Sequence, residues 1–311
     1  VKILVTGGAG FIASHVSDHL LAAGHEVAIV DNLVTGKREN LPSGAAFHEV
    51  DIRAEALGRV FAGEKPDAVI HHAAHINVTA SVREPAYDAS VNILGSLNLL
   101  ECCREHGVGR FIYAGTGGAL FGEAKYLPVD EDHPIEPLSP YGVSKHTVEH
   151  YLFAYHYNHG IEYTVLRYPN VYGPRQDPHG EAGVVAIFAL ALLSGQPCTI
   201  FGDGSKTRDY CYVADIAEAN LAALNSPLSG VYNLGRGIEV SDRQIFEAVR
   251  AAVGVNDEPR YAPVRPGEVA HIALDASKAA RELGWTWKVD LADGVARAVE
   301  FYRAQTERKQ P

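Results

Sequence analysis

The opening of the chain carries a strand, a glycine-rich turn, a helix and a second strand in that order, and this succession leaves few folds open. Lys2 to Thr6 is an apolar run of strand length, Thr6-Gly7-Gly8-Ala9-Gly10-Phe11-Ile12-Ala13 turns the chain, and a helical pattern runs to about Ala23, closed by Gly24. Glycines at the turn let the backbone approach a pyrophosphate, which then rests on the positive end of the helix. Ala13 stands at the third glycine position of this fingerprint and is small enough for close helix–strand packing. The second strand, Glu26 to Val30, ends in Asp31. A carboxylate there accepts from a ribose diol and repels a 2′-phosphate, which favours NAD over NADP, although Lys37 and Arg38 nearby temper that preference.

Further strands are expected at Ala45 to Val50, ending at Asp51, at Ala68 to His71, at Arg110 to Ala114 and at Glu162 to Arg167. Helical patterns separate them, including Asp88 to His106, where Val91, Leu94, Leu97, Leu99 and Leu100 recur at helical spacing. Strands alternating with helices imply an α/β fold with a doubly wound parallel sheet of the Rossmann type, about seven strands wide, and a ligand at the strands' carboxyl ends. After Arg167 the composition turns to Pro, Gly and charge, which marks a smaller second unit. In it Gly183 to Ser194 reads as a helix, Cys198 to Phe201 as a strand and Tyr210 to Leu224 as a helix, while Val231 to Leu234 returns to the sheet. The expected division is 1–169 with 208–240 for the dinucleotide, and 170–207 with 241–311 for the substrate.

A length of 311 residues suits one large α/β domain with an appended unit. The net charge of −11 repels nucleic acid and anionic membranes, so an anionic ligand must be held by local Arg, Lys and backbone N–H groups. No apolar run reaches membrane-spanning length, and the four cysteines form no disulfide or metal framework, so reduced thiols in the cytoplasm are expected.

The chemistry is carried by Ser139-Pro140-Tyr141-Gly142-Val143-Ser144-Lys145, which opens a helix running to Gly160. Tyr141 and Lys145 are four apart and share one helix face, where a cation is expected to lower the phenol's pKa and make it a usable proton carrier. Chance occurrence of this spacing is common, so the pair gains meaning from the dinucleotide turn that precedes it. His71 and His75 are also four apart, but they straddle a strand end and a turn with no carboxylate or cysteine at ligand spacing, and no metal is expected.

With these residues assembled, the chain resembles the extended short-chain dehydrogenase/reductase family and, within it, the UDP-glucose (UDP-galactose) 4-epimerases. The likeness runs from Thr6 to Ser14 through Asp31-Asn32, Asp51 to Arg53, Ser139 to Lys145, Leu166 to Arg175, Ile200 to Tyr210, Val231 to Gly235 and Arg265 to Glu268. The resemblance implies an NAD site at Gly7, Gly10, Phe11, Ile12, Asp31, Asn32, Asp51, Ile52 and Tyr168, with Tyr141 and Lys145 facing both nicotinamide and sugar. It implies a UDP-sugar site at Asn170, Phe201, Arg208, Arg265, Glu268 and Ile272. Phe201 as simple core packing, and Arg208 and Arg265 as solvated surface charges, stay open as alternatives.

The family's usual hydroxyl residue falls by count on Gly117, and Thr116 is expected to replace it, with Gly117 and Gly118 letting the backbone re-aim the side chain. Family members that eliminate or decarboxylate carry an acid in this loop, where this chain has glycine. C4 epimerisation through a transient 4-keto sugar needs no such acid. A related UDP-sugar enzyme, acting on UDP-N-acetylglucosamine or a UDP-uronate, is the nearest alternative. A catalytically silent dinucleotide sensor is the alternative from another class, and such proteins usually lack the Tyr and Lys pair. A homodimer through residues 88–106 and 140–158 is expected from the resemblance and from Tyr151, Leu152, Phe153, Tyr155 and Tyr157. Ile272 stands where some related epimerases hold a tyrosine, which suggests room beside C2 for an acetamido group.

Overall fold

In the computed structural model, which describes residues 1–178, 183–264 and 269–308, the first half of the chain alternates strand and helix. The strands are β1 (Lys2–Thr6), β2 (Glu26–Asp31), β3 (Ala46–Glu49), β4 (Ala68–His71), β5 (Arg110–Thr116) and β6 (Glu162–Tyr168). The helices are α1 (Phe11–Ala22), α2 (Ala56–Glu64), α3 (Val78–Arg83), α4 (Pro85–Ala89), α5 (Gly95–His106) and α6 (Pro140–His159). The second half adds β7 (Asn170–Tyr172), α7 (Val184–Leu193), β8 (Thr199–Phe201), β9 (Thr207–Arg208), β10 (Tyr210–Tyr212), α8 (Val213–Asn225) and β11 (Gly230–Asn233). It closes with β12 (Val240–Ser241), α9 (Asp242–Val253), β13 (Arg260–Ala262), α10 (Ser277–Leu283) and α11 (Leu291–Arg308).

Seven strands form one parallel sheet in the order β11-β6-β5-β4-β1-β2-β3. β1 bonds β2 on one side and β4 on the other, so the winding reverses there and a crevice opens beyond the carboxyl ends of the strands. Both faces are covered, which is why the strands read as nearly continuous apolar runs. Val16 and Leu20 of α1 and Ile216 of α8 pack on one face with Ile3 and Val5. Leu57 of α2, Leu99 and Cys103 of α5, and Val148 and Leu152 of α6 pack on the other with Leu4 and Val69.

A third core joins α7, α9 and α11 around Phe188, Phe246 and Tyr302. A small cluster of Leu120, Phe121, Val129, Ile272 and Leu274 fastens the excursion after β5 to the segment before α10. Backbone bonds Val129 N to Ala273 O (2.8 Å) and Asp275 N to Val129 O (2.7 Å) stitch the same seam. Among the described residues no helix is long and apolar enough to cross a membrane.

Two elements differ from the sequence reading. The expected helix over Tyr210 to Leu224 begins at Val213, because Tyr210, Cys211 and Tyr212 pair in parallel with Asn170, Val171 and Tyr172. The helix expected from Asp88 to His106 starts at Pro85 and widens to a π-turn over Ser90–Leu94. That extra residue per turn rotates the apolar stripe, and Leu94 stands 60% exposed.

Candidate active site

The turn after β1 is shaped by contacts that admit no side chain. Gly7 has φ +70°, and a Cβ there would lie 2.8 Å from Ala73 N. Gly10 N donates to Gly7 O (2.9 Å), and α1 starts at Gly10 with neither a side-chain cap nor an acid in its first turn. Phe11 and Ile12 thus head a helix whose first N–H groups meet an anion without competition. Asp31 is buried at the end of β2, where its carboxylate accepts from Ala9 N (3.0 Å) and Leu33 N (2.8 Å), and burial raises its pKa. It therefore also braces the glycine turn. Asp51 accepts two side-chain bonds from Arg53 (2.9 and 2.8 Å) and one from Asn32 (2.9 Å). The Arg53 bonds hold its carboxyl well below the usual range. Ile52 is buried against Gly95, where a Cβ would stand 2.6 Å from its Cδ1. These features fit a dinucleotide lying across the crevice.

The reacting groups converge at the ends of β5 and α6. Ser139 caps α6 by accepting from Gly142 N (3.2 Å), Pro140 occupies the first turn, and Gly160 ends the helix at φ +70°. Thr116 is the last residue of β5, and its hydroxyl lies near enough to the Tyr141 phenol to pull the phenol's pKa down. The residue belongs to the strand itself, one position before the two glycines. Gly117 serves another purpose, since a Cβ there would stand 2.3 Å from Leu274 Cδ1. Gly118 faces Asn170, with 3.5 Å between a would-be Cβ and Asn170 Oδ1.

The expectation that Lys145 lowers the phenol's pKa is overturned for the chain by itself. Burial pushes the Tyr141 phenol up to about 12, with the nearby Thr116 hydroxyl pulling only partly the other way. Burial also pushes Lys145 down to about 7, against the opposing pull of Glu149 and Asp88. The Lys145 ammonium lies 4.3 Å from the centroid of the Tyr113 ring. A cationic ring seated beside the phenol would favour its anionic form, which fits NAD.

Tyr168, at the end of β6, accepts from Asn220 Nδ2 (2.8 Å) and shares a hydrogen bond with His72 Nε2 (3.0 Å). Burial drives His72 to about 3, so the ring there is neutral. Asn170 starts β7, and Phe201 ends β8 beside Ala262 of β13. Arg208 of β9 bonds the carbonyl of Thr207 (2.7 Å) and is half-buried. Ile272 is 2% exposed within the Leu120–Phe121–Val129–Leu274 cluster, packed rather than beside open space. Arg265 and Glu268 lie outside the described residues.

Several groups that shape the site were not read from the sequence. Ser81 accepts from Tyr141 N (3.2 Å). Asn92, wholly buried, donates to Ser144 Oγ (3.0 Å), Asp88 Oδ1 (3.1 Å) and His75 O (3.0 Å). A polar residue at a core-facing position of an otherwise apolar helical pattern was the available signal. Glu149 accepts from buried Arg167 at 3.0 and 2.6 Å. Asp209 accepts from the N–H groups of Arg236, Gly237 and Leu274, which shapes the turn after β11. His71 bonds Thr6 (2.7 Å) and Ser96 (2.9 Å), while His75 bonds Asp88 (3.2 Å), so each ring serves the fold around the crevice.

Comparison with known proteins agrees with this geometry. Residues 3–235 match the NAD dependent epimerase/dehydratase family. UDP-glucose 4-epimerase of Mycolicibacterium smegmatis is 43% identical over 314 residues, spanning 99% of this chain and 100% of its own. The crystal structure of UDP-glucose 4-epimerase with UDP-glucose from Thermotoga maritima superimposes with a TM-score of 0.96 at 48% identity, covering 98% of this chain and 100% of that one. UDP-glucose 4-epimerase of Thermus thermophilus, in complex with NAD, gives a TM-score of 0.93 at 47% identity, covering 97% of this chain and 99% of that one.

Proposed function

The chain belongs to the NAD-dependent epimerase/dehydratase family, and on that premise we propose that it inverts C4 of a UDP-hexose, interconverting UDP-glucose and UDP-galactose. The observation that carries the reading is Thr116 at the end of β5, set near enough to the Tyr141 phenol to lower its pKa, followed by Gly117 and Gly118 rather than an acid able to drive elimination. When bound, NAD supplies a reversible two-electron oxidation, so that the 4-hydroxyl passes through a ketone and is restored on the other face. Tyr141 takes the proton of that hydroxyl and later returns it. Thr116 donates to the phenolate and stabilises it, while Lys145, when charged, favours the same anion. Gly7, Gly10, Phe11, Ile12, Asp31, Asn32, Asp51, Ile52 and Tyr168 hold the dinucleotide. Asn170, Phe201, Arg208, Arg265, Glu268 and Ile272 line the nucleotide-sugar side, with guanidinium forks meeting the diphosphate.

In this reading the two-unit division stands: 1–169 with 208–240 for NAD, and 170–207 with 241–311 for the UDP-sugar. The apolar core of α7, α9 and α11 supports it, although Tyr210, Tyr212 and Val213 also join that core and Ala279 and Trp285 pack back on the sheet. The protein works in the cytoplasm, in keeping with four buried free thiols. It does so as a homodimer whose partner covers α5 and α6, where Leu94 of the π-turn before α5 and Val143 and Phe153 of α6 stand exposed. Of the aromatic and apolar residues first counted there, Leu152 faces the core and Tyr155 bonds Glu101. Light scattering at micromolar concentration tests the dimer, and a monomer mass would reject it. The decisive assay incubates the purified protein with a panel of UDP-sugars and no added cofactor, and identifies the products. Interconversion without net NADH is expected; stoichiometric NADH would indicate a dehydrogenase.

A further inference from the structure

The geometry points to a second site on the stripe of α6 that also carries Val143 and Phe153, the surface proposed above to meet a second copy, where His146 and His150 form a two-nitrogen clamp for a divalent transition metal of the zinc class. The two residues are one turn apart on the helix, so their rings stand one above the other. Their Nε2 atoms are 3.1 Å apart, with ring centroids at 4.5 Å. Two zinc–nitrogen bonds of ordinary length span about 2.9 Å at a right angle and about 3.4 Å at the tetrahedral angle, so the clamp is already set to the bite of the metal.

A second observation concerns the other ring nitrogen. His146 Nδ1 lies 3.2 Å from Glu149 Oε2. With Nδ1–H donating to that carboxylate, Nε2 keeps its lone pair and faces outward. A carboxylate behind a histidine is the arrangement that orients metal-ligating imidazoles. Glu149 cannot swing away, because the buried Arg167 guanidinium holds both its oxygens at 3.0 and 2.6 Å. His150 is exposed. Its Nε2–H donates to His146, and metal entry requires only that this proton move to His150 Nδ1, with no change in net charge. Imidazole nitrogens select zinc, nickel, copper or cobalt; magnesium and calcium take oxygen ligands.

The chain offers two internal comparisons. His15 and His19 share the same spacing, but His15 Nε2 bonds Pro174 O at 2.9 Å, and His71 and His75 are engaged by Thr6, Ser96 and Asp88. Among the described residues no group of three or more His, Cys, Asp and Glu side chains gathers as a metal cage. The remaining ligands are therefore water, or the same pair from a second copy seated on this helix.

The test uses untagged, chelator-treated protein titrated with zinc chloride by calorimetry, beside His150→Ala, His146→Gln and the control His19→Ala. Saturable uptake in the micromolar range is expected, weakened at least tenfold in His150→Ala and His146→Gln and unchanged in His19→Ala. One zinc per chain means that water completes the site, and one per two chains means that a second copy does; either stoichiometry upholds the clamp. Zinc should also raise the melting temperature of the wild type and leave that of His150→Ala unmoved, which separates lost binding from lost folding. Equal zinc affinity in His150→Ala and wild type, or no saturable uptake, overturns the proposal.

Discussion

At Tyr141 and Lys145 burial works against the charged forms that proton transfer uses, and both consequences are measurable. Tyr141→Phe removes the proposed proton carrier without changing the ring, so turnover should fall by about 10²–10⁴-fold while UDP-sugar binding persists; near-normal turnover would remove Tyr141 from the mechanism. Thr116→Val removes a hydroxyl that lowers the phenol's pKa. Turnover should drop and its rise should move to higher pH, whereas Thr116→Ser should restore both. Lys145 is lowered from an ordinary 10.5 to about 7 in the fold. Between those values the unfolded chain binds a proton that the folded one has released, so stability of the ligand-free protein rises with pH across that window. Lys145→Met should abolish that rise and stabilise the ligand-free protein near pH 8 by about 1–4 kcal/mol, at the cost of activity. Urea unfolding of both proteins from pH 7 to 9 checks the slope, and parallel slopes would show that Lys145 keeps its charge when buried.

Among the elements, the loop that leaves β5 separates packing from chemistry. Thr116 belongs to the strand, Gly117 passes under Leu274, and Gly118 opens toward Asn170. An added methyl at Gly117 must displace Leu274, whose backbone is held by Asp209 (3.1 Å). Gly117→Ala should therefore cost about 1–3 kcal/mol and lower the melting temperature, while Gly118→Ala leaves it nearly unchanged. Equal thermal shifts would mean that the loop moves freely away from Leu274. The sequence shows these glycines but not their separate reasons, because Leu274 is 157 residues downstream of Gly117 and only the fold brings them together. The same limit applies to Tyr210–Tyr212, whose aromatic and apolar residues suit a helix or a strand until β7 arrives as a pairing partner. α6 was legible at both ends because Ser139, Pro140 and Gly160 are local signals.

Across the whole molecule, the sheet and its crevice were readable because strand, turn and helix are encoded within some thirty residues at a time, and Gly7, Asp31 and Tyr141 lie where that local pattern puts them. Acidity at the site was not readable, since the spacing of Tyr141 and Lys145 says nothing about how deeply each is buried. Nor was the setting of Ile272, which depends on the seam between the excursion after β5 and the segment before α10. There Ile272 is covered by Leu120, Phe121, Val129 and Leu274, so a larger side chain must project past them toward the sugar or force them apart. Ile272→Tyr should therefore lower the melting temperature where it forces them apart, and narrow the proposed space beside C2 where its ring projects past them. The kcat/KM for UDP-N-acetylglucosamine should fall relative to that for UDP-glucose by about tenfold or more, since steric discrimination of this kind is worth about 1–3 kcal/mol. Measuring both pairs of substrates in wild type and variant, with thermal melts alongside, distinguishes the two effects. A lowered melting temperature with an unchanged ratio would make Ile272 a packing residue of the seam and remove it from the substrate wall.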